Sequence, residues 1–145
     1  MSTIGLTREE ILQRLNGLLA EEMEASIRYL HLAMAIEGSD KEKLAPMLKE
    51  NYEETIEHAQ LVGDKIVEMG GVPGPEIRLD LPAEKIDATD AIQIALAFEQ
   101  AALDAYCELL ELLEGSGDSS LVEFARSQVE LETQHVAELQ QLLES

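Results

Sequence analysis

The chain has one cysteine, no tryptophan, two phenylalanines and ten basic residues, and each scarcity removes a class of function. A lone Cys107 excludes an internal disulfide and any thiolate metal cluster assembled within the chain, and fits a reducing cytoplasm. Ten Lys and Arg against 30 Asp and Glu leave a net charge of −20, which repels nucleic acid and anionic membrane and concentrates cations around the surface. The same charge also serves solubility. Long apolar runs are absent, because Glu, Gln or Lys interrupts them every few residues. Met1 to Glu10 shows no basic region followed by a hydrophobic stretch, so neither a membrane span nor a secretion signal is read.

What is present is a chain of 145 residues that is 46% apolar, enough for one continuous core and a single domain over 1–145. Good helix formers in 3.6-residue periodicity, with few β-branched clusters, predict an all-α protein. The first helix starts after Thr7, where Thr7-Arg8-Glu9-Glu10 forms a capping-box pattern, and ends near Glu37-Gly38. Its inward stripe is Ile11, Leu15, Leu18, Glu22, Ala25, Tyr29 and Leu32. The second runs from about Lys43 to Met69, stopped by Gly70-Gly71; Pro46 is tolerated in a first turn and kinks a helix that begins earlier. The third opens at Thr89 or Asp90 and carries Ile92, Leu96, Glu99, Leu103, Tyr106 and Leu110 on one face before Gly115. The fourth spans about Ser119 to Leu143, with Leu121, Phe124, Gln128, Glu132, His135, Leu139 and Leu142 as its stripe.

Short turns make the first two helices, and the last two, antiparallel hairpins. Between the hairpins lie roughly twenty residues, able to extend past about 60 Å, whereas the second helix is roughly 40 Å long. Such a connection returns the chain to the far end of the bundle and sets the two middle helices parallel, the ferritin-like topology.

Glu22 and Glu99 interrupt otherwise apolar stripes, where a lone ionised carboxylate would cost several kcal/mol of desolvation unless paired or bound to a cation. Glu132 and His135 project from one face of the fourth helix as Glu-x-x-His. Hairpin register brings these together: Glu22 and His58 have their midpoint at position 40, in the first turn, and Glu99 and Glu132 at 115.5, in the second. The halves also repeat. Glu22 to His58 and Glu99 to His135 span the same interval (58 − 22 = 135 − 99 = 36), and Ala and Tyr follow each Glu by three and seven. Inward Glu and His at matching levels are what two metal ions about a pseudo-twofold axis require. The alternative is a buried polar network without metal.

These residues resemble the ferritin-like superfamily over nearly the whole chain, and within it the bacterioferritins. Leu15 to Tyr29, Glu50-Asn51-Tyr52 through His58, Glu99, and Glu132-Thr133-Gln134-His135 carry the resemblance. It implies a di-metal carboxylate centre with Glu22, His58, Glu99, Glu132 and His135 as ligands and Glu22, Glu99 and Glu132 taking part in catalysis. Iron is the implied metal, two per chain in a complete site, with Mn or Zn as alternatives. Three departures accompany it. Thr55 stands where the family has a bridging glutamate, and on an ideal helix its neighbours Glu54 and Glu57 point roughly 100 to 200° away. Ile56 replaces the methionine that holds haem, so haem is not expected. Ten residues after His135 leave no room for the fifth helix of the cage, which points to a small homo-oligomer such as a dimer.

The function implied is oxidation of Fe(II) with O2 or peroxide by a ferroxidase-type oxidoreductase, with non-catalytic metal storage, sensing or delivery, or a helical interaction module without metal, as alternatives. Tyr29 and Tyr106 are expected to hydrogen-bond the carboxylates. His31 is expected to face solvent or a partner subunit, Cys107 to be an inert buried thiol, and Glu21, Glu24, Glu50, Glu53, Glu108 and Glu111 to form a solvated acidic face.

Overall fold

The computed structural model describes residues 7–144; the segment from Met1 to Leu6, on which part of the leader reading rested, lies outside them. Four helices follow one another as α1 Arg8–Ala35, α2 Lys41–Glu68, α3 Ala88–Leu113 and α4 Ser119–Glu144. No described helix is long and apolar enough to cross a membrane.

Local chemistry sets the helix ends. Thr7 accepts a hydrogen bond from the Glu10 N–H at 3.1 Å, and its hydroxyl donates to the Glu10 carboxylate, as the capping pattern predicts. For α3 the cap is Asp87, whose carboxylate accepts from the Asp90 N–H at 2.8 Å, so the helix opens one residue before the earlier of the two expected starts. Asp118 caps α4 through the Leu121 N–H at 3.0 Å. The α1 helix stops at Ala35, short of the expected Glu37, because Ile36 turns to an extended backbone and pairs with the crossover. The α2 helix begins at Lys41, two residues early, and Pro46 sits inside it, beyond the first turn that suits proline. The helix nonetheless continues uninterrupted to Glu68. Both hairpin turns place a glycine in the left-handed region, Gly38 at φ 105° and Gly115 at φ 91°, where a Cβ would be strained.

The crossover from Met69 to Asp87 is pinned along α1. Arg8 donates to the Met69 carbonyl at 2.6 and 3.0 Å, Asn16 accepts from the Gly74 N–H at 2.7 Å, Glu24 from the Arg78 N–H at 2.8 Å, and an isolated parallel bridge joins Ile36 to Ile86. Progress from residue 8 to residue 36 on one strand of contacts matches progress from 69 to 86 on the other. The crossover thus climbs beside α1, and α3 starts at the end where α1 finished, so α2 and α3 run parallel.

The core divides into two apolar clusters, one at each end of the bundle. One contains Tyr29, Leu32, Ile36, Leu44 and Leu48; the other contains Tyr106, Leu109, Leu113, Leu121 and Ala125. Each residue of the second follows its counterpart in the first by the same offset (106 − 29 = 125 − 48 = 77). The repeat is therefore a physical pseudo-twofold that exchanges the two ends. Between the clusters lies a buried polar layer of Glu22, Ser26, Thr55, His58, Glu99, Gln128 and Glu132.

Leu48 is fully buried in one cluster, whereas Val67 is 59% exposed. Leu48→Ala is expected to cost about 2–5 kcal/mol and Val67→Ala within about 0.5 kcal/mol, measured by chemical denaturation of the metal-free protein.

Candidate metal centre

One carboxylate stands at the centre of the polar layer. Glu132 Oε1 lies 3.7 Å from His58 Nδ1 and Glu132 Oε2 4.0 Å from His135 Nδ1. Around it fall two triads, each with ligand atoms within 4.8 Å of one another: Glu22, His58 and Glu132, and Glu99, Glu132 and His135. Glu132 belongs to both. His58 Nδ1 is also 3.6 Å from Glu22 Oε2, and His135 Nδ1 is 3.2 Å from Glu99 Oε2. The imidazoles stack with centroids 5.9 Å apart and planes at 16°.

Each hairpin's tyrosine serves the other hairpin's glutamate. Tyr29 donates to Glu99 Oε2 at 2.8 Å and Tyr106 to Glu22 Oε2 at 2.7 Å. An amide stands by each phenol: Gln128 Nε2 donates to the Tyr106 oxygen at 3.4 Å, and Asn51, whose Nδ2 donates to Met47 Sδ, lies near Tyr29. Burial first, and then the adjacent carboxylate, push both phenols far above their ordinary range, so they act as donors.

In the metal-free protein, burial favours the protonated carboxyls of the centre. Burial, followed by repulsion from Glu132, pushes Glu22 up to about 8, and burial with the charge of Glu99 pushes Glu132 up to about 9. The Glu99 carboxylate 3.2 Å from its Nδ1 overcomes burial and lifts His135 to about 9. Burial raises Glu99 as well, but the adjacent His135 ring and the Tyr29 hydrogen bond outweigh it, and this carboxyl titrates below its usual range.

A metal pair can be tested against the donors present. Both oxygens of Glu132 and the Nδ1 atoms of His58 and His135 are buried without a hydrogen-bond partner. Orphaned buried polar atoms are costly, and here all four converge on the same layer. Three carboxylates with two imidazoles form an oxygen and nitrogen donor set suited to iron, manganese or zinc. The residues fit a metal pair.

The five residues expected from sequence, Glu22, His58, Glu99, Glu132 and His135, are all brought together. Four expectations change, the first being Glu24, whose side chain is only 14% exposed and accepts from Arg28 and the Arg78 N–H rather than facing solvent. Cys107 is exposed, because Tyr106 beside it takes the inward position. Leu142 is exposed at the end of the α4 stripe. Glu21 is partly buried with one unpartnered oxygen, and burial with the neighbouring Glu24 pushes it up to about 7, unlike a solvated carboxylate. His31 is half-buried and lines a separate hollow with Met34, Glu37 and Lys85. Thr55 is buried in the layer, its hydroxyl turned back onto the Asn51 carbonyl at 2.6 Å. Asn51 was missed as a participant, and Glu54, a candidate beside Thr55 that points away on an ideal helix, takes part at His135. Asn51 precedes His58 by seven, as Gln128 precedes His135, and that spacing was available in the sequence. Glu54 places Oε2 3.1 Å from His135 Nε2, the ring edge away from the layer, and no single-helix projection reveals a contact made across to α4.

A four-helix bundle with one crossover and a buried, pseudo-symmetric carboxylate and histidine layer defines the class of ferritin-like proteins. The ferritin-like domain family matches residues 12–145, and the chain belongs to it. Among solved structures, the chain is 26% identical to a protein from Bacillus anthracis described as ferritin-like and diiron-carboxylate, covering 99% of each chain at a TM-score of 0.86. It is also 26% identical to the bacterioferritin-related dodecameric thioferritin of Bacteroides fragilis, over 96% of this chain and 87% of that one, with a TM-score of 0.87. Antigen TpF1 of Treponema pallidum, 14% identical over 100% of this chain and 99% of that one at a TM-score of 0.89, shares the fold. No curated protein matches the chain by sequence.

The raised groups fix how stability depends on pH. Glu22 and Glu132 are held above the ordinary 4.5, so the folded metal-free protein keeps protons that the unfolded chain releases, and stability falls as pH rises from about 4.5 to 9. His135, lifted from 6.5 to about 9, contributes stability below about 6.5 that is lost by about 9. Glu99 acts oppositely, only on the acid side. Calorimetry in chelator should show Tm falling between pH 6 and 9, with a shallower fall in Glu132→Gln; a Tm that rises over this window would contradict the buried protons.

Proposed function

We propose that the chain binds two metal ions, iron foremost, through Glu22, His58, Glu99, Glu132 and His135, and oxidises Fe(II) with O2 or peroxide. The observation that carries this is Glu132, common to two triads of which one is fully buried and the other buried but for the half-buried His135, with both its oxygens unpartnered. Iron held there supplies the redox chemistry. The chain supplies its placement: Glu22, Glu99 and Glu132 are the anionic ligands, and Tyr29 and Tyr106 fix the orientation of two of them through hydrogen bonds. Glu54 holds the outer nitrogen of His135, leaving Nδ1 directed at the layer, the arrangement by which outer carboxylates orient ligating imidazoles. The description of the Bacillus anthracis relative as diiron-carboxylate supports iron. The Bacteroides fragilis relative is dodecameric, which supports assembly into a homo-oligomer, of which a dimer is the smallest form.

Access is provided by a cavity of about 570 Å³ between α2 and α4, lined by both histidines and by Glu50, Glu54, Glu57 and Glu138. Its acidic rim suits arriving cations. One observation favours a second reading, binding without turnover: Thr55 leaves the layer with three carboxylates. Sustained Fe(II) oxidation by O2 or by peroxide under excess Fe(II) excludes that reading, and its absence with both oxidants despite tight iron binding excludes turnover.

Glu132→Ala is expected to weaken both metal positions and Glu99→Ala the one beside His135, each by at least the 10- to 100-fold typical of losing even an outer partner, with helical content kept. Loss of the Glu132 carboxylate, which burial holds protonated, should stabilise the metal-free form, whereas loss of Glu99 strips His135 and Tyr29 of their partner and should destabilise it. Anaerobic Fe(II) titration, elemental analysis and absorbance after air exposure measure the outcome; unchanged stoichiometry in both variants would place the metals elsewhere.

A further inference from the structure

Thr55 and Glu132 are repeat partners at the same 77-residue offset (132 − 55), both buried in the polar layer, yet only Glu132 offers a carboxylate. Threonine and glutamate share a Cβ and one further branch; what glutamate adds beyond it is a carboxyl carbon and two oxygens, the heavy atoms of formate. No side chain of α2 supplies them. The Thr55 hydroxyl is committed to the Asn51 carbonyl, Glu54 is engaged at the outer edge of His135, and Glu57 is exposed. Resting on the metal reading above, two divalent ions against three carboxylates leave the filled layer with one uncompensated positive charge, which is costly in a buried site.

We infer that the protein takes a small monoanionic carboxylate or bicarbonate as an exogenous ligand at Thr55, opposite Glu132, completing the metal layer. The anion neutralises the remaining charge and supplies the two oxygen donors absent from α2. Its route to the layer is the cavity between α2 and α4, which meets the layer at His58 and His135 and is lined on the α2 side by Asn51 and Glu54, the residues flanking Thr55 on the helix. The acidic rim of that cavity disfavours anions until metal is present, so the anion acts on the metal-loaded layer and strengthens retention of the second ion. A planar monoanion is selected because it matches the missing carboxylate in size and charge.

The test uses the full chain, stripped of metal and titrated with redox-stable Mn(II) by calorimetry in chloride, then in formate, bicarbonate or acetate at equal ionic strength. The weaker of the two Mn(II) positions is expected to tighten about tenfold or more in formate, within the range outer partners contribute; comparison with bicarbonate and acetate identifies which anion is preferred. Thr55→Glu should hold both ions tightly in chloride and gain nothing from formate. Thr55→Leu, which fills the same space without charge, should lose the formate response, and it serves where repulsion among four carboxylates prevents Thr55→Glu from folding. Infrared bands of 13C-formate should shift on Mn(II) loading of the wild type alone. Two Mn(II) ions bound with no response to any of the anions, or a response equal in the wild type and the Thr55 variants, would overturn the inference while leaving the metal reading intact. No Mn(II) binding in any buffer would instead overturn the metal reading, and the inference with it.

Discussion

Three carboxylates buried between two apolar clusters set the terms for the rest of the structure. Glu22, Glu99 and Glu132 are each 1% exposed, and a buried anion must be paired, protonated or bound to a cation. The first two are met by the surrounding residues. Tyr29 and Tyr106 give hydrogen bonds across the hairpins, His135 pairs with Glu99, and Glu22 and Glu132 hold protons well above the ordinary carboxylate range. The apolar clusters on either side supply the burial free energy that makes a polar layer tolerable, and they are arranged symmetrically about it.

Much of this was legible because the signals are periodic. The stripe of α1 from Ile11 to Leu32 is buried throughout, and the equal Glu to His spacings place Glu22, His58, Glu99, Glu132 and His135 in one layer, since helical register converts sequence distance into height along the bundle. Crossover topology was also readable, because a connection of that length serves little purpose unless the two middle helices are parallel. Helix ends were less so. Ile36 leaves α1 because it bridges to Ile86, a pairing fifty residues away, and Asp87 rather than Thr89 caps α3 although both are capping residue types.

The side-chain contacts that differ from expectation are those decided between helices. Glu54 reaches His135 across to α4, although its angle on α2 points away from Thr55. Cys107 is exposed since α3 buries Tyr106 beside it. Glu21 belongs by composition to an acidic surface, yet partial burial sets its protonation. Sequence position gives direction around one helix; reach and burial depend on the neighbour.

The crossover has one further consequence. A pseudo-twofold that exchanges the ends of the bundle makes each hairpin approximately the complement of the other, and hence of another copy of itself. Untethered hairpins of such a chain would have like and unlike pairings to choose between. The segment from Met69 to Asp87, fastened along α1, gives the unlike pairing the high effective concentration of an intramolecular encounter. It selects the arrangement in which Glu132 and Thr55 face the same layer, and so keeps the two halves free to carry different residues at equivalent positions.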